Sequence, residues 1–201
     1  MTIQGVLFDF DGTLTKPGAI DFAAIKRTIG CPPDTPILEY LETTQDPERK
    51  RLMELVEEME LDAAAKSSPN LGAVTILSWL KERSLPFGVV TRNGAASIRL
   101  ALRQFHPIGE PDFGAVITRE HAAPKPRPDG LFEAARRLGI EAARTLFVGD
   151  FRFDVIAGTE AGMVTVLLTN GNPVYLLPDD PQPQFRISNL EEIKEIIAKS
   201  R

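Results

Sequence analysis

The sequence predicts an α/β fold: a doubly wound parallel sheet with a small helical segment inserted after the first strand. Three observations carry this. Short apolar runs alternate with amphipathic stretches of about 10–15 residues, the pattern of βαβ units. The apolar runs are almost continuous, as strands are when helices cover both faces of a sheet. One stretch, residues 16–69, holds no convincing strand.

Taken in order, GVLF at Gly5–Phe8 is the first strand. Ile20–Ile29 and Thr35–Glu42 read as short helices. Pro47–Lys66 reads as a long one, with Leu52, Leu55, Val56, Met59 and Ala63 on one stripe. Leu71–Arg83 has helical periodicity and a basic end, which suits a helix C-terminus. PFGVVT, FGAVIT, RTLFVGD and MVTVLLT follow as strands. Between them ASIRLALRQF, PDGLFEAARRLG and DVIAGTEAG are helices, the second starting at Pro and closing at Gly139. PDDPQPQ reads as a flexible connection to a last strand, FRIS. The final helix, NLEEIKEIIAKS, has Asn189 as N-cap and acids in its first turn. The expected layout is Rossmann-like, with residues 1–15 and 70–201 as the α/β core and 16–69 as a helical cap. Ligands of open α/β sheets bind outside the carboxyl ends of the strands, and the insert begins there, so a lid is expected.

Composition narrows the function. The chain has 201 residues, 43% apolar and 25% charged, which is ordinary for a soluble globular protein. A formal charge of -5 does not favour a nucleic-acid partner. No apolar run approaches the ~20 residues of a membrane span, and no signal peptide is read at the start. Cys31 is the single cysteine. It lies in a Pro-rich turn without a nearby His and reads as structural. A cytoplasmic monomer is the expectation.

VLFDFDGTLT, residues 6–15, raises the central question. A buried strand ends in Asp9, and Asp11 follows one residue later, just before Gly12. Three further features fall at strand ends: Thr91-Arg92-Asn93, the loop APKPRPDG with Lys125, and GDFRFD with Asp150 and Asp154. Right-handed crossovers bring all four to one edge of the sheet. Four clustered carboxylates would repel one another strongly. A hard divalent cation such as Mg²⁺ resolves that conflict, because it takes a few carboxylates together with waters and phosphate oxygens. Lys125 adds a fixed positive charge, and Thr91 offers a hydroxyl at a strand–helix junction. A cation, a lysine and anion-holding donors around a carboxylate suit phosphoryl transfer.

DFDGT, the Thr91 of VVTRN, Lys125 and GDFRFD together resemble the four-part signature of the haloacid dehalogenase-like hydrolase superfamily. The likeness is greatest to its phosphoglycolate phosphatase and β-phosphoglucomutase branch. The resemblance implies that Asp9 attacks phosphorus and that Asp11 is the acid and base. It implies that Asp9, the Asp11 carbonyl and Asp150 hold Mg²⁺, with Asp154 binding directly or through water. Thr91 and the Arg92 N–H would bind a phosphoryl oxygen, with Asn93 beside them, and Lys125 would pair with Asp9 and the phosphoryl group. The acid at Asp11 argues against dehalogenation. The implied activity is hydrolysis of small phosphorylated metabolites; a sugar phosphomutase and a non-catalytic phosphate-binding regulator are the alternatives. Arg92 and Phe151 depart from the family pattern, where Asn and a small hydroxyl residue are common.

Blander roles compete for several residues. Asp11 suits a turn, Asp154 an N-cap and Lys125 a solvated loop. His106 and His121 read as surface or loop residues and Trp79 as core. Lys16, Lys26, Arg27 and the Gly30–Pro36 loop are candidates for setting specificity. The charged run Glu48–Arg51 reads as a solvated face.

Overall fold

The computed structural model describes residues 2–200. Six parallel strands form one sheet in the order β3-β2-β1-β4-β5-β6. They are β1 Gly5–Phe8, β2 Phe87–Val90, β3 Ala115–Ile117, β4 Thr145–Gly149, β5 Val164–Leu168 and β6 Phe185–Ile187. The order reverses direction at β1, so the crevice between β1 and β4 is the switch point where doubly wound sheets bind ligands.

Alternate side chains of each strand pack on opposite faces. Val6, Phe8, Val89, Leu146 and Val148 join one core cluster with α4 (Ala73–Glu82), α5 (Ala95–Leu102) and α8 (Ile193–Lys199). Leu7, Val90 and Phe147 join the other with α6 (Asp129–Leu138) and α7 (Arg152–Glu160). A fully buried side chain such as Leu146 contributes roughly 1.5–3 kcal/mol by leaving water. This two-sided burial explains why the strands carry no polar alternation.

The segment after β1 forms α1 (Phe22–Ile29), α2 (Ile37–Thr43) and α3 (Glu48–Lys66). They pack around a third cluster of Ile20, Ile25, Ile29, Leu38, Leu41, Leu52 and Val56. Asp21 caps α1 by accepting the Ala24 N–H at 2.8 Å, and Gly30 ends it at φ 72°. The Cys31 thiol is buried and donates to backbone carbonyls, consistent with a structural residue.

Four details differ from the sequence reading. The buried stripe of α3 is Leu52, Val56, Glu60 and Ala64, so it includes an acid. α7 starts two residues earlier than expected, which makes Asp154 a first-turn residue rather than the N-cap. Trp79 packs against the core but is only partly buried, with the Arg83 guanidinium 4.2 Å from its ring centre. The connection PDDPQPQ is tied down: Asp180 accepts two bonds from Arg152, at 2.8 and 2.5 Å, and Gln184 binds Thr165. No described helix is long and apolar enough to cross a membrane.

Candidate active site

The four strand-end features converge as expected. Asp9 and Asp11 follow β1, Thr91–Asn93 follow β2, Lys125 lies in the loop after β3, and Asp150 and Asp154 flank the β4–α7 junction. All eight of these predicted residues line one cavity of about 670 Å³ beneath α1, α2 and α3.

At its floor the Lys125 ammonium lies 2.5 Å from Asp9 Oδ1 and 2.6 Å from Asp154 Oδ1. Lys125 is 3% exposed, so water does not screen these pairs. Burial pulls the ammonium pKa down, but Asp154 and Asp9 outweigh it and hold the group protonated. Carboxylate oxygens of Asp9, Asp150 and Asp154 lie within 4.8 Å of one another. Hard anionic oxygens at that spacing fit a divalent cation of the Mg²⁺ or Ca²⁺ kind. The Asp11 carboxylate is not in this triad and instead accepts the Asn93 amide at 2.6 Å.

Burial raises three of these acids above the ordinary 3.8. Asp9 stands at about 6, where Lys125 opposes the effect of burial and Asp154 adds to it. Asp11 is pushed to about 8 by burial, then by Asp9 and Glu60. Asp150 reaches about 8 through burial, Asp9 and Asp154. The folded chain therefore keeps protons that the unfolded chain releases above about pH 4. The stability these groups contribute is full below the unfolded pKa and is lost as pH rises through 6 to 8. Metal-free protein should unfold at a lower urea concentration at about pH 8 than at about pH 5.5. An equal or higher midpoint at pH 8 contradicts this account of the floor.

The β1 turn is shaped by residues the sequence reading missed. Gly12 has φ 75°, and a Cβ there would lie 2.1 Å from Asp150 Oδ2. Its carbonyl accepts the Asn170 amide at 2.8 Å and the Asn70 amide at 3.4 Å, and Asn70 also holds the Thr13 carbonyl at 3.0 Å. Thr13 in turn donates to Asp150 at 3.2 Å. Asn70 in PNLG carries a local signal for a turn, but none for this long-range partner.

Ion pairs made by Arg92 and by Arg119 tie the helical segment to the sheet. Glu39 on α2 accepts two bonds from Arg92, at 3.0 and 2.5 Å, and Arg92 also donates to the Lys125 carbonyl. Glu60 on α3 accepts Arg119 at 2.7 and 2.9 Å and the Gly94 N–H at 3.2 Å. Both partners of the second pair are more than nine-tenths buried. Breaking such a pair costs about 3–5 kcal/mol, so it fixes α3 over the site. Of the specificity candidates, Lys26, Pro33, Asp34 and Pro36 line the cavity, whereas Lys16 and Arg27 do not. The Glu48–Arg51 run and both histidines also lie outside its lining.

Comparison with known proteins finds related hydrolases. A family model described as haloacid dehalogenase-like hydrolase matches residues 15–168, from just beyond Asp11 through Asp154. An uncharacterised hydrolase of Saccharomyces cerevisiae is 32% identical over 97% of this chain and 91% of its own. An N-acetylmuramic acid 6-phosphate phosphatase of Pseudomonas aeruginosa is 29% identical over 90% of this chain and 86% of its own. The crystal structure of a hydrolase from Pseudomonas syringae superposes with a TM-score of 0.79 at 21% identity, covering 98% of this chain and all of that one.

Proposed function

The chain belongs to the haloacid dehalogenase-like hydrolase family, and on that premise we propose that it is a Mg²⁺-dependent phosphatase of small phosphomonoesters. One observation carries the reading. The Lys125 ammonium bridges Asp9 and Asp154 in a site where three carboxylates come within 4.8 Å of one another. A relative of nearly the same span that is named a phosphatase supports it.

Asp9 is the nucleophile. Its free carboxylate oxygen attacks phosphorus and forms an aspartyl-phosphate. Lys125 orients that carboxylate and neutralises charge on the phosphoryl group as it transfers. The Thr91 hydroxyl and the Arg92 N–H hold a phosphoryl oxygen. Asp11, protonated near neutral pH and held by Asn93, gives its proton to the leaving oxygen. It then takes a proton from the water that hydrolyses the acyl phosphate. Asp9, the Asp11 carbonyl, Asp150 and Asp154 would hold the Mg²⁺. Bound there, the ion supplies positive charge against the phosphoryl oxygens. Residues 16–69 act as a cap that shields this chemistry from bulk water.

Phosphate release from p-nitrophenyl phosphate is expected with Mg²⁺ and should disappear in chelator. A broad panel of phosphomonoesters with no turnover would overturn the reading. Gly12→Ala tests the floor more finely. The new methyl must displace Asp150, and the positive φ costs about 1–2 kcal/mol. The Mg²⁺ concentration for half-maximal rate should rise by about 10–100-fold, the usual effect of disturbing a ligand's support. An unchanged Mg²⁺ titration would remove Asp150 from the ligand set.

A further inference from the structure

The upper walls of the cavity say more about the substrate than its floor does. At about 670 Å³, the cavity has the size of sites that enclose a sizeable organic ligand, and a short-chain phosphate fills only a small part of it. The charges on its walls are largely spoken for. Arg92 is held by Glu39, Arg152 by Asp180 and Glu60 by Arg119. Lys26 keeps its charge, donating to the neutral Pro33 carbonyl at 2.5 Å.

Aromatic and aliphatic surface remains. Phe22 projects from α1 with half of its surface exposed, and Phe151 from the β4–α7 junction is exposed to the same degree. Both line the cavity, as do Ile20, Ile37 and Leu38. Phe151 packs edge-on against Phe153, with ring centres 5.1 Å apart and planes at 81°. Arg92 and Arg152 guanidiniums lie 5.1 and 5.4 Å from the centre of the Phe153 ring. The Phe151 side of the cavity is thus buttressed, while Phe22 stands on the cap. Apolar aromatic surface left open inside a binding cavity gains most from a ligand that covers it with a flat apolar face.

We infer that the substrate is a phosphomonoester whose alcohol carries a ring with an apolar face, and that Phe22 and Phe151 are specificity-determining residues. This rests on the phosphatase reading and deepens it. Two kinds of ring share the chemistry: an aromatic ring, and a pyranose presenting its C–H face.

Benzyl phosphate, a hexose 6-phosphate and glycerol 1-phosphate separate the cases, because all three release a primary alcohol. At least one ring phosphate should exceed glycerol 1-phosphate in kcat/KM by about tenfold or more, the scale set by added apolar contact in a pocket. Whichever ring leads identifies the source. Phe22→Ala should lower kcat/KM for that ring by about fivefold or more while glycerol 1-phosphate changes by less than about twofold. Phe22→Tyr, which keeps the ring, should restore the preference. Glycerol 1-phosphate equal to or better than both rings overturns the inference. So does an equal loss on all three substrates in Phe22→Ala.

Binding keeps the test open if nothing turns over, an outcome that would count against the phosphatase reading alone. Benzylphosphonate or a hexose 6-phosphate should then bind about tenfold more tightly than ethylphosphonate by calorimetry. Equal affinities for all three overturn the inference.

Discussion

Asp9→Asn should turn over phosphomonoesters at least about 10⁴-fold more slowly than the wild type while folding normally. The amide keeps the size of the side chain, and its carbonyl oxygen can still accept the Lys125 hydrogen bond. Lys125 also retains Asp154, 2.6 Å away. What is lost is the anionic oxygen that attacks phosphorus. Circular dichroism and steady-state phosphate release, with Mg²⁺ present, check both halves of the expectation. A variant with more than about a tenth of wild-type activity removes Asp9 from the nucleophile's role.

Lys125→Met carries the second large effect, and it reaches stability as well as rate. The wild-type ammonium is the group that directly bridges Asp9 and Asp154, and all three side chains are largely buried. Methionine fills similar volume but leaves two carboxylates facing each other across the floor. Removing one partner from a buried charge cluster costs about 3–5 kcal/mol. The cost should be largest near pH 8, where Asp9 must ionise, and smaller near pH 5, where Asp9 can stay protonated. The urea midpoint should fall accordingly, and added Mg²⁺ should restore part of it by binding the folded state. Activity should fall by at least about 10³-fold, because the charge facing the transferring phosphoryl group is gone. An unfolding midpoint within error of wild type at pH 8 would show that the floor tolerates its carboxylates without Lys125.

The main part of this site was legible because its residues stand at strand ends. β1, β2 and β4 are short and apolar, so a polar residue at the end of each run is conspicuous, and parallel topology brings those ends together. Asp9, Thr91 and Asp150 stand out for that reason. Lys125 stands out through the prolines around it. Residues that act through partners distant in the chain gave no such signal. Asn170 lies 158 positions from the Gly12 carbonyl it holds, and nothing local to the tail marks that contact. Arg92 was readable as a strand-end residue, but its pairing with Glu39 depends on how α2 lies over the sheet.

Glu60 was within reach. The spacing Leu52, Val56, Glu60, Ala64 places an acid on the buried face of α3, and a buried acid needs a partner. The apolar stripe drawn through Leu55, Met59 and Ala63 passed it by, since those side chains are only partly buried against the same cluster. The start of α7 was misread for a related reason. Arg152 and Phe153 look like loop residues, whereas Asp154 accepts the Phe151 N–H at 3.0 Å and so starts the helix earlier.

The stereochemical course at phosphorus tests the central claim most directly. A phosphorothioate monoester made chiral at phosphorus by its sulfur and two oxygen isotopes would be hydrolysed with Mg²⁺ present in water of the third oxygen isotope, and the configuration of the inorganic thiophosphate determined. Attack by Asp9 followed by attack of water is two displacements, so the account predicts net retention. Net inversion would mean that water attacks the substrate in one step, and the assignment of Asp9 as nucleophile would be wrong.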